Sequence, residues 1–164
     1  MRPVMEFKKN GGFSLVEMLI VIAIVAIISG IAAYSWQRYV TNTSLRTATR
    51  DVVTDIDHYR AISTSENRMY LIAFIPATDS YYIIYSPATA THSMVLITKM
   101  MSTYGSGIQI TSANYVASLA TNWIMFQPRG TVTAGTATLT NSRASTATIT
   151  SNITGKSFVQ FAMQ

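Results

Sequence analysis

The residues most suited to chemistry lie at the start of the chain. Lys8 and Lys9 precede two glycines, and Glu17 places a carboxylate at the edge of an apolar run. A charged side chain in a membrane helix costs roughly 3 kcal/mol, so Glu17 is a candidate functional residue. A simpler interpretation places Glu17 at the level of the lipid headgroups, without a special role.

The apolar run is the element that must position these residues. Its 19 residues, Met18–Trp36, carry no charge, and as a helix they would extend roughly 28 Å, close to the hydrocarbon thickness of a bilayer. The rest of the chain could hardly enclose such a helix as a buried core element. A cleaved secretory signal peptide is another alternative. Against it, the apolar run is longer than that of a usual signal peptide and lacks a small-residue cleavage site. The run is also followed by Arg38 on a continuing helical pattern.

Residues 8–19, KKNGGFSLVEML, resemble the class III signal of type IV pilins and type II secretion pseudopilins. The shared pattern is a short basic leader, a glycine, a phenylalanine, and glutamate as the fifth residue after the cut. The resemblance implies that a membrane aspartyl prepilin peptidase cleaves between Gly12 and Phe13 on the cytoplasmic face, and that the Phe13 amine is then methylated. It divides the chain into a leader (1–12), a transmembrane and filament-core helix (13–36) and a periplasmic domain (37–164).

Elementary physics gives these residues a consistent set of roles. Gly12 lets the backbone enter a tight active site because it has no side chain. The leader has a net charge of +2, which keeps it in the cytoplasm by the positive-inside rule. After cleavage, Glu17 could neutralise the Phe13 amine of a neighbouring subunit. In a low dielectric such a pair would set the register of assembly, because a misplaced subunit leaves a charge unpaired.

An amphipathic pattern continues past the apolar run and predicts one helix from about Ser14 to Ser65. Its apolar stripe recurs at helical spacing, and we expect the stripe to lie on a sheet. The charged residues of this segment fall mainly off the stripe. The stripe consists of Leu45, Ala48, Val52, Ile56, Tyr59 and Ile62, and the charged set of Arg46, Arg50, Asp51, Asp55 and Arg60.

The second part of the chain has the pattern of β-strands. Short β-rich runs lie between turn residues, and residues 130–153 alternate Thr or Ser with apolar residues, as in an antiparallel sheet with one solvated face. A disordered Thr/Ser-rich linker is the alternative for that stretch. The predicted class is α+β, a long helix packed on antiparallel β-structure, with strands at Met69–Ile75, Tyr81–Tyr85, Met94–Met100, Gly107–Thr111, Trp123–Gln127 and Phe158–Met163.

Further segments resemble the GspH/FimT family, which comprises minor pseudopilins of type II secretion and related minor pilins. The resemblance covers residues 45–52, 59–62 and 66–68, together with FQPRG at 126–130 and ITGK at 153–156, where Lys156 replaces the usual arginine. It implies a structural subunit of a short periplasmic filament. The implied partners are other pseudopilins or pilins, the prepilin peptidase/methyltransferase and the bacterial inner membrane, with the N-terminus cytoplasmic and the C-terminal domain periplasmic.

The composition argues against an enzyme and against metal or cofactor sites. The chain has no cysteine and two histidines, His58 and His92, which leaves little material for a nucleophile or a zinc site. Major pseudopilins commonly hold calcium near the C-terminus, and calcium needs several oxygen ligands, usually carboxylates. No acidic residue follows Asp79, which favours a minor subunit without a metal or cofactor.

The basic residues of the C-terminal half suggest an alternative function. Lys99, Arg129, Arg143 and Lys156 give residues 80–164 a net charge of +4, and some FimT-type minor pilins bind DNA during natural transformation. A positive field attracts phosphates non-specifically. We therefore consider Arg129, Arg143 and Lys156 as candidate nucleic-acid contacts, and a mildly basic solvated surface as the simpler interpretation.

Overall fold

The computed structural model describes residues 12–86, 94–117 and 119–164. Helix α1 spans Leu15–Glu66, and the chain divides into two compact units, Met1–Arg38 and Tyr39–Gln164. Most of the predicted leader and His92 lie outside the described residues. The strands are β1 (Met69–Ile75), β2 (Ser80–Ser86), β3 (Met94–Met100), β4 (Gln109–Ala117), β5 (Leu119–Thr121), β6 (Trp123–Phe126), β7 (Gly135–Thr140), β8 (Thr146–Ser151) and β9 (Ser157–Ala162).

Both ends of α1 have capping interactions. At the start, the Ser14 hydroxyl accepts a hydrogen bond from the Val16 amide at 3.3 Å, as an N-cap residue does. At the end, Asn67 adopts the left-handed conformation with φ of 53°, and the Arg68 amide donates to the Ser63 carbonyl at 3.1 Å. This is the Schellman arrangement, which supplies a partner for a terminal carbonyl.

The first unit consists of the apolar part of α1. Its large apolar side chains are exposed around the whole helix, from Leu15 to Ile31. The helix is long and apolar enough to cross a membrane, as the sequence predicted.

The second unit consists of two antiparallel sheets and the C-terminal part of α1. One sheet has the strand order β3-β2-β1-β6 and the other β5-β4-β7-β8-β9. The α+β class is confirmed, and the strands divide between two sheets, which the sequence pattern did not predict. The predicted strand at Gly107–Thr111 is the start of the longer β4.

The core lies between the apolar stripe of α1 and the inner faces of both sheets. Leu45, Ala48, Val52 and Ile56 are fully buried, as the stripe predicted, and Ile62 packs partly buried against them. In β7 and β8 the alanines, Leu139 and Ile149 point inward while threonines line the outer face. The sheet residues of the core include Ile72, Phe74, Tyr81, Ile83, Tyr115, Ile124, Phe126, Ala137, Leu139, Ala147 and Ile149.

Arg60 on α1 holds two turns of the sheets. Its Nη1 donates to the Gly155 carbonyl and its Nε to the Gly130 carbonyl, both at 3.4 Å. Gly155 has φ of 78°, and a Cβ at this position would overlap the Arg60 guanidinium. Two features therefore require a glycine at position 155: the positive φ of the backbone and the close approach of the Arg60 guanidinium.

Replacing Gly155 by alanine should lower the free energy of unfolding by about 2 kcal/mol, because left-handed strain is added to the loss of the Arg60 contact. Gly130→Ala is the matched control. Its φ is 80°, but a Cβ there would meet only the Thr64 hydroxyl at 3.7 Å, so we expect strain alone, about 1 kcal/mol. Denaturant unfolding measures both. Equal losses would show that the Arg60 contact contributes nothing.

Candidate functional site

The Gly12–Phe13 bond lies immediately before α1. Phe13 is exposed over 74% of its surface, and a Cβ at Gly12 would meet no heavy atom within 4 Å. The bond is therefore accessible in a segment just ahead of the Ser14 cap. Lys8 and Lys9, which the resemblance assigns to the leader, lie outside the described residues.

Glu17 is in the first turn of α1, where a carboxylate is favoured by the positive end of the helix dipole. It also follows the capping residue Ser14 by three positions. This spacing is that of a capping box, in which the glutamate would bond the amide of the capping residue. The S-x-x-E pattern at 14–17 is the usual sequence signal of this role. Glu17 therefore has a local role available besides the predicted pairing with a neighbouring subunit.

A group of charged and phenolic side chains joins α1 to β3, and we call it the carboxylate–lysine cluster: Asp51, Asp55, Tyr81, Lys99 and Tyr104. The Lys99 Nζ lies 2.8 Å from the Oδ2 atoms of both Asp51 and Asp55. The Tyr81 hydroxyl donates to Asp55 at 2.6 Å, and the Tyr104 hydroxyl donates to Asp51. Asp55 is 9% exposed. It is therefore buried, although it lies off the apolar stripe of the helix.

The pKa values in this cluster show which charges the fold stabilises. Burial raises the pKa of Asp51, but the hydrogen bonds from Lys99 and Tyr104 and the Lys99 charge outweigh burial and hold that pKa below its ordinary value. Burial lowers the pKa of Lys99, but its bonds to Asp51 and Asp55 raise it above its ordinary value. Burial and the bond to Asp51 raise the pKa of Tyr104 to about 12. Near neutral pH, Asp51 is thus held as a carboxylate, Lys99 as an ammonium and Tyr104 as a neutral phenol.

The cluster has a structural role, because its ion pairs connect β3 to α1. Lys99 is paired with Asp51 and Asp55. It therefore does not count as a free positive charge among the four cations of residues 80–164. Within the described ranges, no group of three or more His, Cys, Asp or Glu residues is placed to hold a metal ion. The described histidine, His58, packs edge-to-face on Tyr59 with ring centroids 5.1 Å apart.

The three remaining basic candidates do not share one surface. Arg129 and Lys156 each lie next to a glycine whose carbonyl binds Arg60. Arg143 lies in the β7–β8 turn, whose Asn141 side chain donates to Asn42 of α1 at 2.9 Å. Since Asn42 precedes Arg60 by 18 residues, the two basic sites are separated by roughly 27 Å along the helix.

We therefore predict weak binding of duplex DNA. Arg129 and Lys156 lie at one end together with Arg60, which binds both turns. Three phosphate contacts would give a slope of log affinity against log salt of about −2.7, and binding should be non-specific, with a dissociation constant of about 10⁻⁴ M or weaker. A salt titration with labelled DNA measures both values. Micromolar binding that Arg129→Ala, Arg143→Ala and Lys156→Ala each weaken would contradict the prediction and favour DNA uptake.

Comparisons with known proteins agree with the helix and the fold. A family model for the prokaryotic N-terminal methylation motif matches residues 7–33, the segment that contains Gly12, Phe13 and Glu17. No curated protein matches the chain in sequence. Among solved structures, the minor pseudopilin EpsH from the type 2 secretion system of Vibrio cholerae is similar, with a TM-score of 0.57 and 8% identity over 73% of this chain and 97% of that one. The chain thus carries the prokaryotic N-terminal methylation motif and has the fold of a minor pseudopilin, which makes it type IV pilin-like.

Proposed function

We propose that the chain is a minor pseudopilin of a type II secretion system, a structural subunit that assembles into or primes a short periplasmic filament. The observation that carries the proposal is the combination of two features in one chain. The methylation motif spans the start of α1, and 73% of the chain has the fold of a minor pseudopilin. The lack of acidic residues after Asp79 supports a minor subunit over a calcium-binding major one.

Processing and assembly follow from the N-terminal residues. Prepilin peptidase removes residues 1–12 and the net charge of +2 that they carry, and the Phe13 amine is methylated. The apolar helix is then free to leave the bilayer and pack against the helices of other pseudopilins. The chain starts as a single-pass inner-membrane protein with its C-terminal unit in the periplasm. Glu17 pairs with the Phe13 amine of a neighbouring subunit and fixes the axial register.

Glutamine at position 17 tests this pairing, because it keeps the capping role and removes the charge. Glu17→Gln and Glu17→Ala should both be cleaved and inserted normally, and both should reduce co-purification with neighbouring pseudopilins by about tenfold, since the Phe13 amine loses its partner. Glu66→Gln, at the other end of α1, is the matched control. If Glu17→Gln assembles normally and only Glu17→Ala loses assembly, Glu17 acts as a helix cap and not as the partner of the Phe13 amine. Normal assembly of both would contradict the pairing, except for a subunit at the filament tip, which has no neighbour above it.

Deletion of the gene tests the system that the subunit serves. We expect a loss of type II secretion, measured as retention of secreted enzymes in the periplasm, with piliation and transformation unchanged. The distribution of the basic residues over two ends of the second unit supports secretion over DNA uptake. Loss of transformation with intact secretion would favour the alternative, a FimT-like minor pilin.

A further inference from the structure

The two sheets of the second unit end in four edge strands, β3, β6, β5 and β9. An edge strand presents unpaired amides and carbonyls, and proteins that must not pair at an edge protect it by shortness, a bulge, an inward charge or a covering segment. Comparing the four edges therefore shows which of them is left open for a partner.

Edge β3 has two of these protections. Its pairing with β2 shifts register between Ile83 and Ile84, which marks a bulge. Its residue Lys99 opposes the buried Tyr81 and points inward to the carboxylate–lysine cluster. Both features oppose the addition of a strand at β3.

Edges β6 and β5 are also unsuitable. The outer side of β6 is covered by the following segment, since the Thr133 amide donates to the Met125 carbonyl at 3.1 Å and the Gln127 amide to the Thr131 carbonyl at 3.0 Å. Strand β5 has three residues, too few to offer a template.

Among the residues that the structure describes, nothing gives edge β9 any of these protections. All six of its residues, SFVQFA, pair with β8 in one register, and none is charged, proline or glycine. The Asn152 amide donates to the Lys156 carbonyl at 3.0 Å in the preceding turn. Because bonding alternates along an antiparallel ladder, Ser157, Val159 and Phe161 direct their amides and carbonyls away from β8, to the open side.

The inner face beside this edge combines apolar and positively charged groups. Val159 and Phe161 oppose the buried residues Ile149 and Ala147, yet Phe161 is 40% exposed. The Arg46 guanidinium of α1 lies 5.9 Å from the centre of the Phe161 ring. Arg50, one helical turn further on, is exposed on the same flank of α1. The inner face of a strand added to β9 would therefore lie near the side chains of two arginines, Arg46 and Arg50.

We infer that β9 is a docking edge for an extended segment of another protein, one that carries apolar and acidic side chains on the face turned toward α1. The backbone of the segment would pair with the outward groups of Val159 and Phe161, as in β-strand addition. Its apolar side chains would cover Phe161, and its carboxylates would meet Arg46 and Arg50. This contact lies in the second unit and does not depend on cleavage at Gly12.

A second copy of this chain fits the edge less well. Strand β9 has no acidic residue, so a second β9 would bring no carboxylate to Arg46 or Arg50. Charge complementarity therefore favours a different protein as the occupant.

The full chain in a non-ionic detergent and a synthetic peptide of about eight residues test the inference. Valine and glutamate alternate on one face of the peptide and threonine fills the other, and the control peptide has lysine in place of glutamate. We expect the acidic peptide to bind in fluorescence anisotropy and to slow hydrogen exchange in residues 157–162 by about tenfold. The lysine peptide should bind at least about tenfold more weakly.

Three variants separate the backbone and charge contributions. Val159→Pro removes an outward amide without breaking the β8–β9 ladder, and it should abolish binding while the circular dichroism spectrum stays that of the folded chain. Its melting temperature should fall somewhat, because Val159 packs partly buried against the core. Arg46→Glu combined with Arg50→Glu should weaken binding by about tenfold, whereas Lys156→Glu, a single charge reversal at an exposed site, should alter it less than about twofold. Equal binding of both peptides would overturn the inference, as would unchanged binding by Val159→Pro. Concentration-dependent protection of residues 157–162 without peptide would identify a second copy as the occupant.

Discussion

Replacing Gly12 by leucine is expected to leave the leader attached to essentially every copy of the chain. The side chain would occupy space that the peptidase needs for the backbone on the amino side of the bond. The uncleaved chain keeps Arg2, Lys8 and Lys9 on the cytoplasmic side, and the apolar helix then cannot leave the bilayer to join a filament. Intact-mass measurement of the membrane-extracted protein should show the start at Met1 and no methylated Phe13.

Gly11→Leu is the matched control, because it introduces the same side chain one residue further from the bond. We expect it to be cut, with a mature protein that begins at methylated Phe13. A mature Phe13 start in Gly12→Leu would contradict the assignment of the cleavage site. An uncut wild-type chain in cells that process other prepilins would contradict processing altogether.

Replacing Lys99 by methionine should cost about 3 kcal/mol of unfolding free energy at neutral pH. The change leaves Asp55 buried without its cation, and it removes the hydrogen bond that Asp51 accepts at 2.8 Å. Lys156→Met, an exposed lysine, should stay within about 0.5 kcal/mol of the wild type. Denaturant unfolding at pH 7 compares them, and equal stabilities would show that the cluster is dispensable.

The pH dependence gives an independent measurement of the same cluster. The pKa of Asp51 is lowered in the folded chain from 3.8, so its contribution is fully present above that value and is lost as the pH falls through the folded pKa. The pKa values of Lys99 and Tyr104 are raised from 10.5 and 10.0, so their contributions are present below pH 10 and are lost as the pH rises further. The wild type should be most stable between these limits. The cost of Lys99→Met should shrink as the pH falls through the folded pKa of Asp51, because protonation of Asp51 removes a charge that Lys99 pairs.

Local patterns predicted the elements of this fold because each pattern reports on a single element. The spacing of Leu45, Ala48, Val52 and Ile56 requires one buried face, and the structure buries all four. The alternation of threonine with apolar residues likewise predicted strands, which β7 and β8 confirm.

Contacts between distant segments were not predictable in this way. Asp55 looked like a solvent-facing residue of the helix, and its burial depends on Tyr81 and Lys99, which belong to two later strands. The division into two sheets depends on β1 pairing with the distant strand β6 as well as with its neighbour β2. Periodicity carries no information on such pairings, because it describes which face of an element is buried and not what covers it.

The contacts of Arg60 and Asn42 bear on the order in which the second unit can fold. Arg60 binds the carbonyl of Gly155, and the Asn42 side chain donates to the Gln164 carbonyl at 3.3 Å, across 122 residues of sequence. A ribosome adds about 5 to 20 residues per second, so the buried stripe of α1 waits roughly 4 to 18 s before β7 and β8 are made. Until then the stripe must therefore be shielded by other means, and truncation from the last strand onward would remove the Gln164 carbonyl that Asn42 binds.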